Sequence, residues 1–299
     1  MSEKIASRDI GPWPDAGDRD DLCLPPRQDG RLYFADGHPA RAMPRPHAHD
    51  EWECNAVLHG TAAYVVEGRR VDLRIDSLVM LLPTQRHILI DVSDDFRMWV
   101  VVFRQRVARR LAGDEGYEPW RRWLRGASPA GPVHREIGER ATAAITPLLE
   151  ELYQTDPTRH LGRLNAGIAW AAAAMWSAYL DAPDLPAGSH LHPAVDEALA
   201  WLSRHAHTPE ADDLDALAHR CHVSRSHLSR LFRQQTGRTL TDFRNARRVD
   251  RFARLVGRGG KTSLTQAAYA AGFGSYAQAF RVIRAVTGRS PRRWIDDLG

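Results

Sequence analysis

Two stretches of this chain repeat one pattern, and the repeat limits what the C-terminal third can become. LDALAHRCHVSRSHLSRLFRQQTG (residues 214–237) and SLTQAAYAAGFGSYAQAFRVIRAVTG (residues 263–288) follow the same plan. Each opens with a short segment whose apolar or small residues recur at helical spacing: Leu214, Leu217 and Ala218 in the first, Leu264, Ala267 and Ala268 in the second. A break follows, with Ser224 or Ser275 placed to cap the next helix by accepting a bond from a first-turn N–H. A second helix then alternates an apolar stripe with arginines and ends at Thr-Gly, where Gly237 and Gly288 suit a left-handed C-terminus.

A short helix, a tight turn and an arginine-bearing second helix form the arrangement that sets a recognition helix into a DNA major groove. The run VSRSHLSRLFRQQTG, a basic joining helix over residues 239–256, and GFGSYAQAFRVIRAVTGRSPRRW together resemble the DNA-binding domain of the AraC/XylS family of transcriptional regulators. The resemblance covers about the last third of the chain. It implies that the joining helix fixes both recognition helices so that they enter one face of double-stranded promoter DNA. The chain departs from the family pattern at His222, where Gly is usual, at Ala279 and Ile283, where an aromatic core residue is common, and at Phe280, where a polar base-facing residue is expected.

On the first recognition helix Leu228, Leu231 and Phe232 form the stripe expected to be buried, leaving Arg225, Ser226, Ser229, Arg230 and Arg233 outward. By resemblance Ser226, Ser229 and Arg230 fall on base-facing places, Arg230 as the bidentate guanine reader, with Arg225 and Arg233 as phosphate clamps. On the second, Tyr276, Ala277, Phe280 and Arg281 face outward, and Arg281 and Tyr276 are the two that can hydrogen-bond. The joining helix carries Arg244, Arg247, Arg248, Arg251 and Arg254, expected to be divided between phosphate and solvent.

Charge agrees with this placement. The formal net charge of +4 conceals an asymmetry: residues 190–299 hold 18 basic against 10 acidic side chains, and the preceding residues hold 23 against 27. A basic C-terminal part beside a mildly acidic N-terminal part says where a polyanion would bind. Three scattered cysteines, Cys23, Cys54 and Cys221, provide neither a disulfide framework nor a thiolate zinc site. With no signal-type apolar core at the N-terminus and no stretch long enough to span a bilayer, a cytoplasmic protein without a membrane partner is expected.

Residues 31–104 carry short alternating or apolar runs separated by turn residues, the pattern of a small antiparallel barrel or sandwich. Within them HAHDEWECNAVLHG reads His47-x-His49, three residues, Glu53, six residues, Gly60, which resembles the first motif of the cupin superfamily. The second motif is partial: Asp76 begins it in place of Gly, Pro83 is present, Gln85 replaces a Gly, and His87 lies within a residue of the last ligand's place. His47 and His49 on one strand would share a face with Glu53. With His87 from a neighbouring strand they would make a three-histidine, one-carboxylate site suited to one divalent ion of Zn, Fe, Mn or Ni, or else a pocket that hydrogen-bonds an organic effector.

The middle of the chain turns helical. Tyr117, Trp120 and Trp123 are expected against the barrel or at its mouth, and residues 161–180 form a helix apolar on most sides. Such a helix must bury itself, one partner being the barrel; the resemblance to AraC-type regulators implies the same helix of a second subunit as the other, and burial wholly within the core of one chain is the alternative. The fold expected is α+β, divided as follows: a disordered segment over residues 1–28, a cupin-like barrel over 29–105, a helical packing and dimerisation segment over 106–181, a linker over 182–190, and an all-α domain of two helix-turn-helix units joined by a helix over 191–299. The function expected is a sequence-specific, homodimeric transcription regulator, not an enzyme, whose promoter binding answers to a small-molecule or metal effector in the barrel. The resemblance leans toward an activator that contacts RNA polymerase. The competing reading is a metal-dependent cupin enzyme fused to a DNA-binding domain.

Overall fold

The computed structural model describes residues 22–35, 46–129, 132–185, 189–257 and 262–296. Its N-terminal part is built from β1 (Gly30–Ala35), β2 (Trp52–His59), β3 (Ala62–Val66), β4 (Arg69–Leu73), β5 (Ser77–Leu81), β6 (His87–Ile90), β7 (Arg97–Phe103) and β8 (Val133–Glu136). A late short strand, β9 (Ser189–His190), joins them. They form two antiparallel sheets, ordered β1-β7-β2-β5-β8 and β6-β3-β4-β9. Strand parity separates two cores. Trp52, Cys54, Ala56, Leu78, Met80, Trp99, Val101 and Phe103 face outward from the five-stranded sheet. Their alternates Val57, Val79, Leu81, Met98, Val100 and Val102 face the interior between the sheets.

The outward core is covered by α1 (Gln105–Leu111), α2 (Glu118–Leu124), α3 (Gly138–Tyr153) and α4 (Pro157–Asp181). Its centre is aromatic: the Trp120 ring lies 4.7 Å from that of Trp52 and 5.5 Å from that of Trp176. The Trp176 indole N–H donates to the Gly116 carbonyl at 3.0 Å. On α4 the buried residues are Leu164, Ile168, Ala171, Ala172, Met175 and Trp176. Trp170 is 61% exposed on the other side of the same helix.

Residues 22–28, expected to be disordered, are packed in place. Leu22 and Leu24 are buried in the interior core. Arg104 donates to the Leu24 carbonyl, and Asp29 is held between Arg106 at 2.5 Å and Arg110 at 3.0 Å on α1. The rest of that expected segment, residues 1–21, lies outside the described residues.

The C-terminal part comprises α5 (Pro193–His205), a 3-10 turn (Pro209–Asp212), α6 (Leu214–Arg220), α7 (Arg225–Thr236), α8 (Leu240–Gly257), α9 (Leu264–Ala270), α10 (Tyr276–Thr287) and α11 (Pro291–Asp296). α8 joins the two units, with Phe243 packing on Phe232 of the first and Val249 and Phe252 entering the core of the second. Its arginines correct the expectation of a phosphate- and solvent-facing set. Arg248 is 1% exposed, donating to the Ala206 carbonyl at 2.6 Å and gripping both oxygens of Asp212 at 3.1 and 3.0 Å. Arg244 also holds Asp212, at 2.9 Å, and Arg247 pairs with Asp250 at 2.7 Å. A guanidinium can be buried when it is paired, and here Arg244 and Arg248 fasten α8 to Asp212 while Arg247 is held within the helix by Asp250.

Of the expected linker, residues 186–188 lie outside the described residues, and Ser189 and His190 pair with Arg70 and Arg69 of β4. The contact continues beyond β9. The Leu191 N–H donates to the Gly68 carbonyl at 2.8 Å, Arg86 pairs with Asp196 of α5 at 3.2 Å, and Arg70 donates to the Gln235 carbonyl of α7 at 2.6 Å.

Candidate functional site

The first candidate surface is the outer side of α7. Ser224 caps its N-terminus by accepting from the His227 N–H, and Gly237 closes it at φ 70°. Leu228 and Phe232 anchor the buried side, and Leu231 is half-buried. Arg225, Ser226, Arg230 and Arg233 are exposed and Ser229 is half-buried. Two of them are already oriented: Arg225 pairs with Asp215 of α6 at 3.0 Å, and the Arg230 guanidinium lies 3.0 Å from His227 Nδ1. On α10, Ser275 and Gly288 provide the same two ends, and Ala279 and Ile283 are fully buried. Ala277, Phe280 and Arg281 are exposed and Tyr276 is half-buried. The outward face of α7 thus offers guanidinium and hydroxyl groups, whereas that of α10 offers apolar surface and the guanidiniums of Arg281 and Arg284.

The second candidate site lies inside the sheet pair. His47, His49, Glu53 and His87 are each 2% exposed or less. They do not converge as expected, with two histidines alternating on one strand. β2 begins at Trp52, while His47 is tied to His87 by an isolated antiparallel bridge (His47 N–H to His87 O 3.0 Å, His87 N–H to His47 O 2.8 Å). The loop before β2 then brings His49 back, with its carbonyl accepting from the Thr84 N–H at 2.8 Å. Ligand atoms of His47, His49 and His87 all lie within 4.8 Å of one another.

Glu53 stands apart from that trio. One of its oxygens lies 3.0 Å from His49 Nε2, and the other accepts from the Asn55 amide at 2.6 Å. Asn55 also donates to the Tyr64 hydroxyl at 3.0 Å. Asn55 and Tyr64 were missed in sequence. Asn55 shares the parity of Glu53 and was legible by that signal, whereas nothing in the local pattern marks Tyr64.

The electrostatics of the cluster follow from burial and pairing. Burial pulls His49 down, but the hydrogen bond and charge of Glu53 outweigh it, so its pKa rises above the usual histidine value. Burial pushes Glu53 up, but the hydrogen bond and charge of His49 and the Asn55 bond bring it below the usual carboxylate value. The hydrogen bond between His49 and Glu53 thus favours the charged form of each. His87 is pushed down to about 3 by burial and by its neighbour His47, and so is a neutral imidazole. Its Nδ1 faces the Gln85 carbonyl at 2.9 Å, which assigns the proton there. Its Nε2 is buried with no hydrogen-bond partner. A lone pair on a neutral imidazole, set beside two other histidines, fits a divalent cation. His47 Nε2 is likewise buried without a hydrogen-bond partner, whereas His49 faces the Glu51 carbonyl through Nδ1 and Glu53 through Nε2, so it would join them as a ligand only by releasing Glu53.

A two-sheet domain with a buried polar cluster, joined to a pair of helix-turn-helix units, defines the class: an effector domain coupled to a DNA-binding domain. Family comparisons agree on both halves. Residues 30–166 match the AraC-like ligand binding domain, and residues 217–297 match a helix-turn-helix domain. The chain belongs to the AraC-type transcription regulators. Among solved structures it is similar to ToxT from Vibrio cholerae O395 (12% identity, 91% of this chain and 95% of that one, TM-score 0.32). Its C-terminal part is similar to the C-terminal domain of AraT, a response regulator from Geobacillus stearothermophilus (22% identity, 36% of this chain and 88% of that one, TM-score 0.33). It is also similar to an AraC-type regulator from Chromobacterium violaceum (25% identity, 36% and 93%, TM-score 0.33). No curated protein matches the chain. Among the described residues no helix is long and apolar enough to cross a membrane.

Proposed function

We propose that this regulator reads promoter DNA chiefly through α7, with Arg230 as the guanine reader, Ser226 and Ser229 beside it, and Arg225 and Arg233 on phosphates. The observation that carries this reading is the side-chain set on α7: an exposed guanidinium and two hydroxyls on one face of a capped helix. A bidentate Arg–guanine contact contributes about 1–3 kcal/mol of discrimination. On α10 Arg281 and Tyr276 dock the backbone, and Phe280 and Ala277 meet thymine methyls.

A DNA pull-down with sequencing, using fragmented source genome, tests it. Wild type is expected to enrich a small set of promoter fragments, and Arg230→Ala to lose or relax that enrichment. Uniform recovery unchanged by the substitution would sink specific reading by α7.

The chain acts as a regulator and not as an enzyme, in the cytoplasm, as a homodimer. As an activator it would contact RNA polymerase.

The buried trio favours a second reading of the effector: one divalent metal ion held by His47, His49 and His87, with the Glu51 carbonyl orienting His49 through Nδ1 and Glu53 giving up His49 Nε2 to the ion. A bound ion would supply a fixed positive charge beside Glu53. Metal content after anaerobic purification checks this. Stoichiometric metal lost in His87→Ala is expected; no metal in wild type under reconstitution would leave an organic effector alone.

A further inference from the structure

A cavity of about 550 Å³ opens at the barrel rim, between α2 and the β5–β6 loop. It is separate from the buried trio but shares that loop with it: Thr84 and Gln85 line the cavity, while the Thr84 N–H binds the His49 carbonyl and the Gln85 carbonyl faces His87. Its size is that of small-molecule sites generally. Leu82, Leu124 and the half-buried Trp123 give it apolar walls.

Its polar groups are biased toward donors. Arg69 is half-buried and, among the described residues, has no ion-pair partner. Gln85 spends its amide oxygen on the Leu82 N–H at 2.8 Å, and Gln105 spends its own on Arg109 at 3.1 Å, so both leave NH2 groups free to donate. The one carboxylate on the wall, Glu67, accepts from the Arg86 N–H and so fastens the β3–β4 turn to the β5–β6 loop. A cavity with a cation free of any ion pair among the described residues, a carboxylate already engaged by a backbone N–H, spare donors and a tryptophan wall is complementary to an acceptor with a flat hydrocarbon body.

We infer that this cavity binds an organic monoanion, a carboxylate on a planar hydrocarbon, with Arg69 as its counter-ion. The inference rests on the effector-controlled reading above and names its ligand class and its route to the DNA-binding part. Arg69 is paired with His190 in the β4–β9 ladder. Its neighbour Arg70 holds the Gln235 carbonyl of α7 and pairs with Asp91 at the end of β6 at 3.0 Å. A carboxylate on Arg69 therefore acts on the strand that carries the contact with the first recognition helix, and differential binding to two arrangements of that contact would shift DNA affinity.

The test uses the full chain, with 2-naphthoate and its uncharged amide, 2-naphthamide, as probes, followed by tryptophan fluorescence and by calorimetry. Saturable binding of the acid is expected, with the amide weaker by at least about tenfold. Arg69→Ala should abolish the preference for the acid, and Arg69→Lys should restore part of it. Gln105→Glu, at the half-buried start of α1 and outside the β4–β9 ladder, provides a second variant that should weaken the acid and spare the amide.

No saturable binding of the acid, equal binding of acid and amide, or an acid preference untouched in both Arg69→Ala and Gln105→Glu would overturn the inference. Selective promoter enrichment with any of these results leaves the regulator standing without this ligand. Acid binding that depends on Arg69, without promoter enrichment, leaves the cavity standing without the regulator.

Discussion

The two helix-turn-helix units share a scaffold and differ in their surfaces. Each pairs a seven-residue helix with a twelve-residue one, caps the second with serine, and ends it at a glycine with φ of 70° or 69°. Thr236 and Thr287 play one role: each hydroxyl donates back to the carbonyl four residues earlier, Phe232 or Ile283, and receives the N–H of Arg238 or Arg289. The outward faces have diverged: α7 sets serine hydroxyls among its arginines, whereas α10 sets Ala277 and Phe280 beside Arg281 and Arg284. Their attachments differ as well, since the first unit is bonded to the barrel through Arg70 and Gln235. What repeats is what builds the unit; what differs is what it can touch.

The largest expected separation between the units is in DNA affinity. Arg230→Ala should weaken binding to an enriched promoter by about 1–3 kcal/mol, roughly 5- to 150-fold, and relax selectivity at one base pair. Arg281→Ala should weaken binding more evenly across sequences and reduce the salt slope by about one. Titrations by fluorescence anisotropy at several salt concentrations separate the two. A flat loss of affinity in Arg230→Ala and a base-specific loss in Arg281→Ala would reverse the assignment of reader and anchor.

A smaller effect distinguishes the two closing glycines. Each sits in the left-handed region, where a Cβ costs about 1–2 kcal/mol. At Gly288 nothing lies within 4 Å of that Cβ, whereas at Gly237 it would meet the Asp91 carboxylate at 2.1 Å. Asp91 can turn away only by releasing Arg70. Gly288→Ala is therefore expected to lose the backbone cost alone, and Gly237→Ala to lose more and to loosen the barrel contact. Urea unfolding of Gly237→Ala, Asp91→Ala and the double variant should show coupling between the two sites. Additive losses would mean that the contact is indifferent to the first unit's end.

How much of this was legible depended on whether a local pattern encoded it. The paired caps, the Thr-Gly ends and the stripe of Leu228 and Phe232 follow from residues within one or two turns of each other, and all were readable. The fate of the α8 arginines was not. Arg244 and Arg248 meet Asp212 across some 30 residues of chain, and a basic helix reads the same whether its guanidiniums face phosphate or a buried aspartate. The barrel cluster was half legible. His47, His49, Glu53 and His87 carry a spacing, but the route that joins them is a backbone bridge between residues 47 and 87 and not strand alternation. Tyr64 enters from β3, on the opposite sheet, with no motif to announce it. The rim cavity has no signature in sequence, because Arg69 and Trp123 become neighbours only through folding.

The smallest expected effect lies in the turn within each unit. His222 in the first adopts φ 56°, and Gly272 occupies the matching turn of the second at φ 94°. The family's preference for glycine at the first place thus has a conformational cause: the chain must enter the left-handed region there, whatever residue it carries. Histidine tolerates that region better than most side chains, yet still bears a steric cost that glycine lacks. Glycine returns part of that gain through the greater freedom of the unfolded chain. His222→Gly should therefore stabilise the first unit by about 0.5–1 kcal/mol, seen as a higher urea midpoint with an unchanged slope. The reverse substitution, Gly272→His, should be far worse than the mirror of that gain, because a Cβ there would lie 2.6 Å from the His207 backbone. The exposed His222 has room that Gly272 does not. If both substitutions changed stability by equal and opposite amounts, the two turns would be interchangeable, and the difference between the units would be confined to their outer faces.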